Sequence, residues 1–481
     1  IIRHVLPGGR SILSFYGHLD PPSVTLRRGA CVARGEQVGA IGDPRGRPHL
    51  HFEIRDHTPA DPGPGYWYEN PVLGGWYPPS QTIWASRYGA SPGVLWARPP
   101  EDDDFFPAVA PVGFLPDGVL VLLEAGRLVG VGSADGGVRW RQPEPVVPTP
   151  TPGPDGARPD ATRMALQVVA ASPVAAVLDD AAPVVYTVDR RGRLQAHATE
   201  GEVPVFDPLW QVRLNMVGTP ALAPLPGGGV VVVGRRSLVA TNAGGAELWR
   251  APLEDWAGEA VRAGDRLFLP VGRGETVLWE LTQSGATPLP DLPAGTPVGR
   301  PGGLLWLYAR DGVYHLNPQQ NRATLAKALP PALYGAALRR DGGALALPDG
   351  GLLVAHPDLY DSRLLRLDPR GALIWERSYR AAGAARAAGA SGGRALAQLA
   401  FADGRPFLAV VEEGPTMLVT VYAVDLDSGN LERLFVGGAR GGNALNTWLI
   451  AAPDGLLLNI GGGHLVALDP PAALDALRAA R

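Results

Sequence analysis

From about residue 93 onward, apolar runs of four to six residues alternate with turns rich in Asp, Asn, Gly and Pro. Runs this short, bounded by turn residues, predict β-strands and tight turns throughout. One unit recurs: an apolar strand, an Asp/Asn/Gly turn, then a second strand closed by Trp or another large apolar residue. Its strongest copies are LVGVGSADGGVRWR (128–141), VVYTVDRRGRL (184–194), LVATNAGGAELWR (238–250), LLRLDPRGALIWER (364–377) and VYAVDLDSGNLERL (421–434). Weaker copies lie at 277–289, 313–325 and 465–474. Each predicts the outer hairpin of a four-stranded sheet, its turn residue in an Asx conformation or at positive φ.

The spacing between copies sets the architecture. Trp96 and Trp140 are 44 residues apart, and Trp210 and Trp249 are 39 apart. Blades of about 40–50 residues fit a four-stranded propeller repeat. The longer step from Trp140 to Trp210 holds the Pro-rich stretch 143–162, which reads as an inserted loop. Eight hairpins fall between Leu128 and Leu474, and the last lacks a fourth strand. GVLWARPP (93–100) is expected to supply it by pairing near 456–468, so that no sheet edge stays open. The repeat Trp residues are expected to pack between blades.

Two zones precede the repeat. Residues 59–92, rich in Pro, Gly, Trp and Tyr, read as a connector. Residues 1–58 hold His4, His18, His49, His51 and His57 among the nine His of the chain. The stretch LRRGACVARGEQVGAIG (26–42) reads as short strands with Gly at turns. His49 and His51 flank Leu50; on a strand this spacing puts both imidazoles on one face, with Phe52 and Ile54 toward the core. A His-x-His pair with a third His nearby fits a zinc or acid–base site, and also an exposed strand face.

Composition narrows the function classes. Hydrophobic residues are 46% of the chain, enough for a large core. Gly (63) and Pro (49) make up about 23%, which agrees with many turns. The net charge of −4 implies no nucleic-acid partner. Lys327 is the one lysine. Cys31 is the one cysteine, so neither an intrachain disulfide nor a Cys-based metal cluster can form. No apolar run is long enough for a membrane span; the nearest, 164–178, is broken by Gln167, Ser172 and Pro173. The chain starts at Ile1 and is expected to be a processed form or part of a longer protein. EDDD (101–104) reads as a solvated acidic loop, AGAARAAGASGG (382–393) as a loose segment between blades, and 473–481 as a short helix.

Two resemblances follow from these strings. The hairpin repeat resembles the pyrroloquinoline-quinone-type, or quinoprotein-like, propellers over about 380 residues. In that family's dehydrogenases the quinone rests against a disulfide of adjacent cysteines, which this chain cannot form. The strings YGHL (16–19), LRRGACVARGEQVGAIG and GRPHLHFEIRD (46–56) resemble the C-terminal half of the lysostaphin/LytM-type zinc endopeptidases of bacterial peptidoglycan. That resemblance implies His51 as a zinc ligand, and His18 and His49 as the pair that flanks the metal-bound water. It also implies an H-x-x-x-D motif for the remaining ligands. Here His4 is followed by Gly8 where Asp belongs, and it lies too close to YGHL. The expectation is zinc in an intact form and none held by this chain alone. The missing half lies upstream, comes from another chain, or is absent from a non-catalytic relic.

The expected fold is thus all-β: a partial lysostaphin-type β domain (1–58), a connector (59–92) and an eight-bladed quinoprotein-like propeller (93–481). The leading expectation is an extracellular or cell-envelope bacterial protein resembling a zinc peptidoglycan endopeptidase. Its expected partners are peptidoglycan or envelope proteins, with the propeller as a protein–protein interaction platform. The rival is a non-catalytic envelope scaffold or assembly protein; a quinone-dependent dehydrogenase is the weaker third.

Overall fold

The computed structural model describes residues 1–5, 11–33, 35–57, 75–77, 79–98, 109–143, 173–179, 183–200, 203–204, 207–216, 220–255, 257–272, 277–293, 295–309, 311–329, 343–356, 362–379, 395–412, 416–440, 446–461 and 464–479. The segments 101–104, 144–162 and 382–393, and most of the expected connector, lie outside them. The chain divides into two compact units, Ile1–Ala90 and Ser91–Arg481.

The first unit is built on one antiparallel sheet. Its strands are β1 (Ile2–Val5), β2 (Ser11–Gly17), β3 (His51–Arg55) and β4 (Trp76–Tyr77), in that order, followed by helix α1 (Pro79–Gly89). Ile12 and Ile54 supply buried apolar side chains. The glycine-spaced stretch after His18 is not the set of short strands expected. It is irregular, crossed by one isolated bridge, Leu19 to Ile41, and closed beside it by the backbone bond from Asp20 N–H to Ala40 O at 2.9 Å. Residues 75–90 also depart from the connector reading. β4 pairs with β3, Ile54 opposite Tyr77 and Arg55 opposite Trp76, so this segment is part of the first unit.

The second unit contains, among the described residues, eight antiparallel sheets of consecutive strands. In chain order they span 109–141, 173–213, 221–252, 261–289, 295–328, 344–378, 395–440 and 448–468. β5 (Val94–Arg98) is the fourth strand of the eighth sheet; Leu465 faces Arg98 and Ala467 faces Trp96. The weak copy at 465–474 therefore has only one strand of its own, and its second half begins helix α2 (Pro470–Ala479). The copy at 184–194 joins the second and third strands of its sheet, and the outer hairpin there is 193–200 with 210–213.

The middle strands are continuous apolar runs because both of their faces are covered. VLVLLE (119–124), VVVV (230–233) and GLLLNI (455–460) are buried at every position. The core is divided into layers, each shared by neighbouring sheets. Val231 of the third sheet shares one layer with Leu267 of the fourth, and Trp306 of the fifth shares another with Leu352 of the sixth. The last sheet meets the first: the Trp448 indole donates to Val109 O at 2.8 Å, and both residues share one cluster with Leu120 and Leu457. This is a β-propeller arrangement.

Fourth-strand tryptophans tie sheet to sheet. The Nε1–H of Trp96 donates to Ser133 O at 2.7 Å, Trp210 to Ala243 O at 2.8 Å, Trp249 to Thr282 O at 3.0 Å and Trp375 to Leu426 O at 2.6 Å. Each acceptor lies at the outer-hairpin turn of the next sheet. The indole covers a turn glycine at positive φ: Gly136 under Trp96, Gly245 under Trp210, Gly429 under Trp375. The Asx residue shapes that turn, as where Asn242 Oδ1 accepts from Gly244 N at 2.9 Å and Ala246 N at 3.0 Å. The repeat's two signature residues, turn Asx–Gly and strand Trp, are thus two halves of one inter-sheet contact.

Candidate functional site

Three of the first unit's histidines converge. The His18 ring lies 4.7 Å from that of His49 and 5.9 Å from that of His51, centroid to centroid. The route differs from simple alternation along a strand. β3 begins at His51, and His49 and Leu50 precede it as exposed, non-strand residues. Leu50 is therefore no core anchor; it is 39% exposed. A tight turn, Pro44–Gly46 with Arg45 at φ 62°, brings the chain in, and His49 Nδ1 is held 2.7 Å from Arg47 O.

His18 sits at the end of β2 with φ 58°, a left-handed conformation that is rare for a non-glycine residue. Its carbonyl accepts from Gly42 N–H at 2.8 Å. A Cβ on Gly42 would stand 2.9 Å from that oxygen, so glycine is needed there. This is the use of one of the spaced glycines: it lets the loop close against the backbone that aims His18.

His51 is fixed from behind. Its Nε2 lies 2.5 Å from Glu53 Oε1, and Phe15 packs edge-on at 5.9 Å between centroids. Glu53 also accepts from Arg55 and from the Trp76 indole, the latter at 2.8 Å. Burial pushes the Glu53 carboxyl up, but the bonds from His51, Arg55 and Trp76 outweigh it and hold the group below the usual carboxylate range. With Nε2–H donated to Glu53, the Nδ1 lone pair of His51 is left for another partner. Alternation along β3 puts Glu53 on the face of His51, a signal present in HLHFE; nothing in the sequence marks Trp76 as its partner.

Among the described residues no group of three or more His, Cys, Asp or Glu is placed to hold a metal. His4 faces Ile12 while His51 faces Gly17, five residues and so roughly 16 Å further along β2, on its opposite side. His4 Nε2 is engaged with Ser14 Oγ at 2.7 Å. What the cluster offers chemically is three neighbouring imidazoles, one of them oriented by a carboxylate: a set that can pass a proton or bind one ligand atom.

The second unit decides the family. A family profile described as outer membrane protein assembly factor BamB matches residues 199–470, more than half of the chain. The chain belongs to this family. The match lies wholly within the BamB-family propeller and leaves the histidine cluster outside it. Among solved structures, BamB from Moraxella catarrhalis is 13% identical, with 78% of this chain and 98% of that chain covered and a TM-score of 0.44. The WD40 domain of SCAP from fission yeast is 11% identical, covers 78% and 94%, and has a TM-score of 0.47. No curated protein matches the sequence.

The BamB-family propeller also carries a cavity of about 620 Å³ where its first strands meet, lined by Val261, Thr296, Ala344 and Phe401 among others. The Arg300 guanidinium lies over the Phe401 ring at 5.8 Å. Among the described residues no helix is long and apolar enough to cross a membrane.

Proposed function

We propose that this protein is a non-catalytic assembly or scaffold component of the bacterial cell envelope, working through its propeller as a protein-binding platform. The family match over residues 199–470 carries the reading. The seam between the eighth sheet and the first supports an eight-bladed closed ring, rigid enough to present its turns as a fixed surface. No quinone chemistry is proposed, because the lone Cys31 excludes the paired-cysteine feature of the dehydrogenases. The test is site-specific photo-crosslinking from outer-hairpin turns of the propeller in intact envelopes. Capture of proteins that assemble the outer membrane is expected; capture of none from any turn would overturn the reading.

One observation favours a second reading for the first unit. The converging rings of His18, His49 and His51, with His18 strained and His51 braced, support a site derived from a peptidoglycan endopeptidase. In that reading His18 and His49 served the water, His51 bound zinc, and the chain as it stands targets peptidoglycan without cutting it. Sacculus binding without dye release, lost on changing His18 and His51 together, is the expected result. Zinc-dependent hydrolysis by this chain would refute the non-catalytic assignment.

A further inference from the structure

The first strands of the fourth, fifth and sixth sheets, Val261–Ala263, Gly295–Gly299 and Ala344–Ala346, stand side by side. The cavity of about 620 Å³ opens on them and on Phe401, from the first strand of the seventh sheet, Ala395–Ala402. Its size is within the range of about 300–1,000 Å³ typical of ligand sites. Val261, Pro297, Val298, Leu345 and Phe401 give it apolar walls.

Two guanidinium groups stand against these walls. Arg262 lies in the first strand of the fourth sheet and Arg300 directly follows that of the fifth; both are exposed and both line the cavity. Among the described residues neither forms an ion pair. The Arg300 guanidinium rests instead over the Phe401 ring, a contact that leaves its charge in place. Glu259 is the one acid of the lining, so two guanidinium groups are set against one carboxylate and one positive charge is uncompensated. The backbone adds a second requirement. Each of these first strands ends its sheet and is paired on one side only. The N–H and C=O groups along its other edge have no ladder partner within the sheet. An extended peptide brings both donors and acceptors to such an edge; an acyl chain brings neither.

We infer that this cavity binds an extended apolar peptide segment carrying one acidic residue, with apolar side chains against Val298, Leu345 and Phe401 and the carboxylate on Arg262 and Arg300. Guanidinium forks suit carboxylates, and the apolar walls select against a segment that is acidic throughout. The inference deepens the platform reading by naming a ligand class. It is measured on the purified chain, so it stands or falls apart from crosslinking at the turns in envelopes.

The test is fluorescence anisotropy of a labelled, amidated Gly-Val-Asp-Phe-Val-Gly peptide on the full chain. One control peptide has Asn in place of Asp; another has Ser in place of Val and Phe. The parent peptide should bind, and each control should bind about tenfold more weakly. Arg262→Gln and Arg300→Gln should each narrow the gap between the Asp and Asn peptides, with binding of the Asn peptide kept within about twofold. Arg3→Gln, in the first unit, should change nothing. Thermal melts check that the variants fold; if one does not, the other arginine variant and the peptide series carry the test. No binding of the parent, equal binding of the parent and either control, an unchanged Asp–Asn gap in the folded arginine variants, or displacement of the parent by an equal concentration of decanoate would each overturn the assignment, the last in favour of an acyl-chain ligand.

Discussion

The tryptophan–glycine contact makes a quantitative prediction at Gly429. This residue has φ 74°, and a Cβ added to it would stand 2.8 Å from Trp375 Cε3 and 2.9 Å from Cδ2. Both distances are under contact range and both partners are ring carbons of a buried indole. Gly429→Ala therefore has two costs. The left-handed backbone alone costs an alanine about 1–2 kcal/mol. The indole must also shift, which strains its bond to Leu426 O and loosens its packing, for about 1–2 kcal/mol more. The sum is about 2–4 kcal/mol. Gly404, in another turn of the same sheet, separates the two: it has φ 72° and nothing within 4 Å of an added Cβ. Gly404→Ala should lose only the backbone part, about 1–2 kcal/mol. Urea unfolding of both variants, followed by tryptophan fluorescence, gives the comparison through midpoint shifts, since a chain of this size is not expected to be two-state. Adding Trp375→Phe should shrink the Gly429→Ala penalty, because the smaller ring relieves the clash. Equal losses for Gly429→Ala and Gly404→Ala would refute the docking argument.

Further outcomes can be checked separately. Glu53→Gln should release the Nε2–H tautomer of His51, read as a change in its imidazole ¹⁵N shifts; an unchanged spectrum would mean Glu53 does not set the tautomer. Because the folded Glu53 carboxyl lies below its ordinary 4.5, its contribution to the first unit is present above that value and fades as pH falls through the lower folded value. The acid limb of a stability–pH profile should flatten in Glu53→Gln; an identical limb would contradict this. Leu50→Ala should change stability by less than about 0.5 kcal/mol, because the side chain is exposed. Ile54→Ala, 3% exposed, should cost about 2–5 kcal/mol, and a reversed order would show β3 in the wrong register.

Much of the propeller was legible because its determinants are local. Asp368 shapes its turn by accepting from Arg370 N at 2.9 Å and Ala372 N at 2.8 Å, all within five residues, and Trp375 follows at a set distance. The same chemistry misled at 184–194. Asp189 Oδ1 accepts from Arg191 N and Arg193 N just as an outer-hairpin residue would, yet it joins inner strands. Local turn chemistry does not say which hairpin of a sheet it closes. In the first unit, β3 starts two residues later than the His-x-His pattern implies, because the turn at Arg45 and the bond to Arg47 O decide where His49 goes. Trp76 and Tyr77 read as connector by composition; their pairing with β3 and their side-chain bonds to Glu53 and to Asp56, each at 2.8 Å, give them a structural role that composition does not show.

The strand Val94–Arg98 has a consequence in time. It is made before any of the eight sheets, yet its partner His464–Leu468 belongs to the last of them. The seam beside it, Trp448 to Val109, joins residues 339 positions apart. At a synthesis rate of about 5–20 residues per second, that separation is roughly 20–70 s of translation. For that interval Leu95 and Trp96 belong to a strand with no neighbour to pair with, and every sheet already made belongs to an open arc. The ring therefore cannot mature blade by blade to its final stability; closure is a late event at one place, and it is there that a chaperone, a protease or a second unfinished chain competes with the native strand.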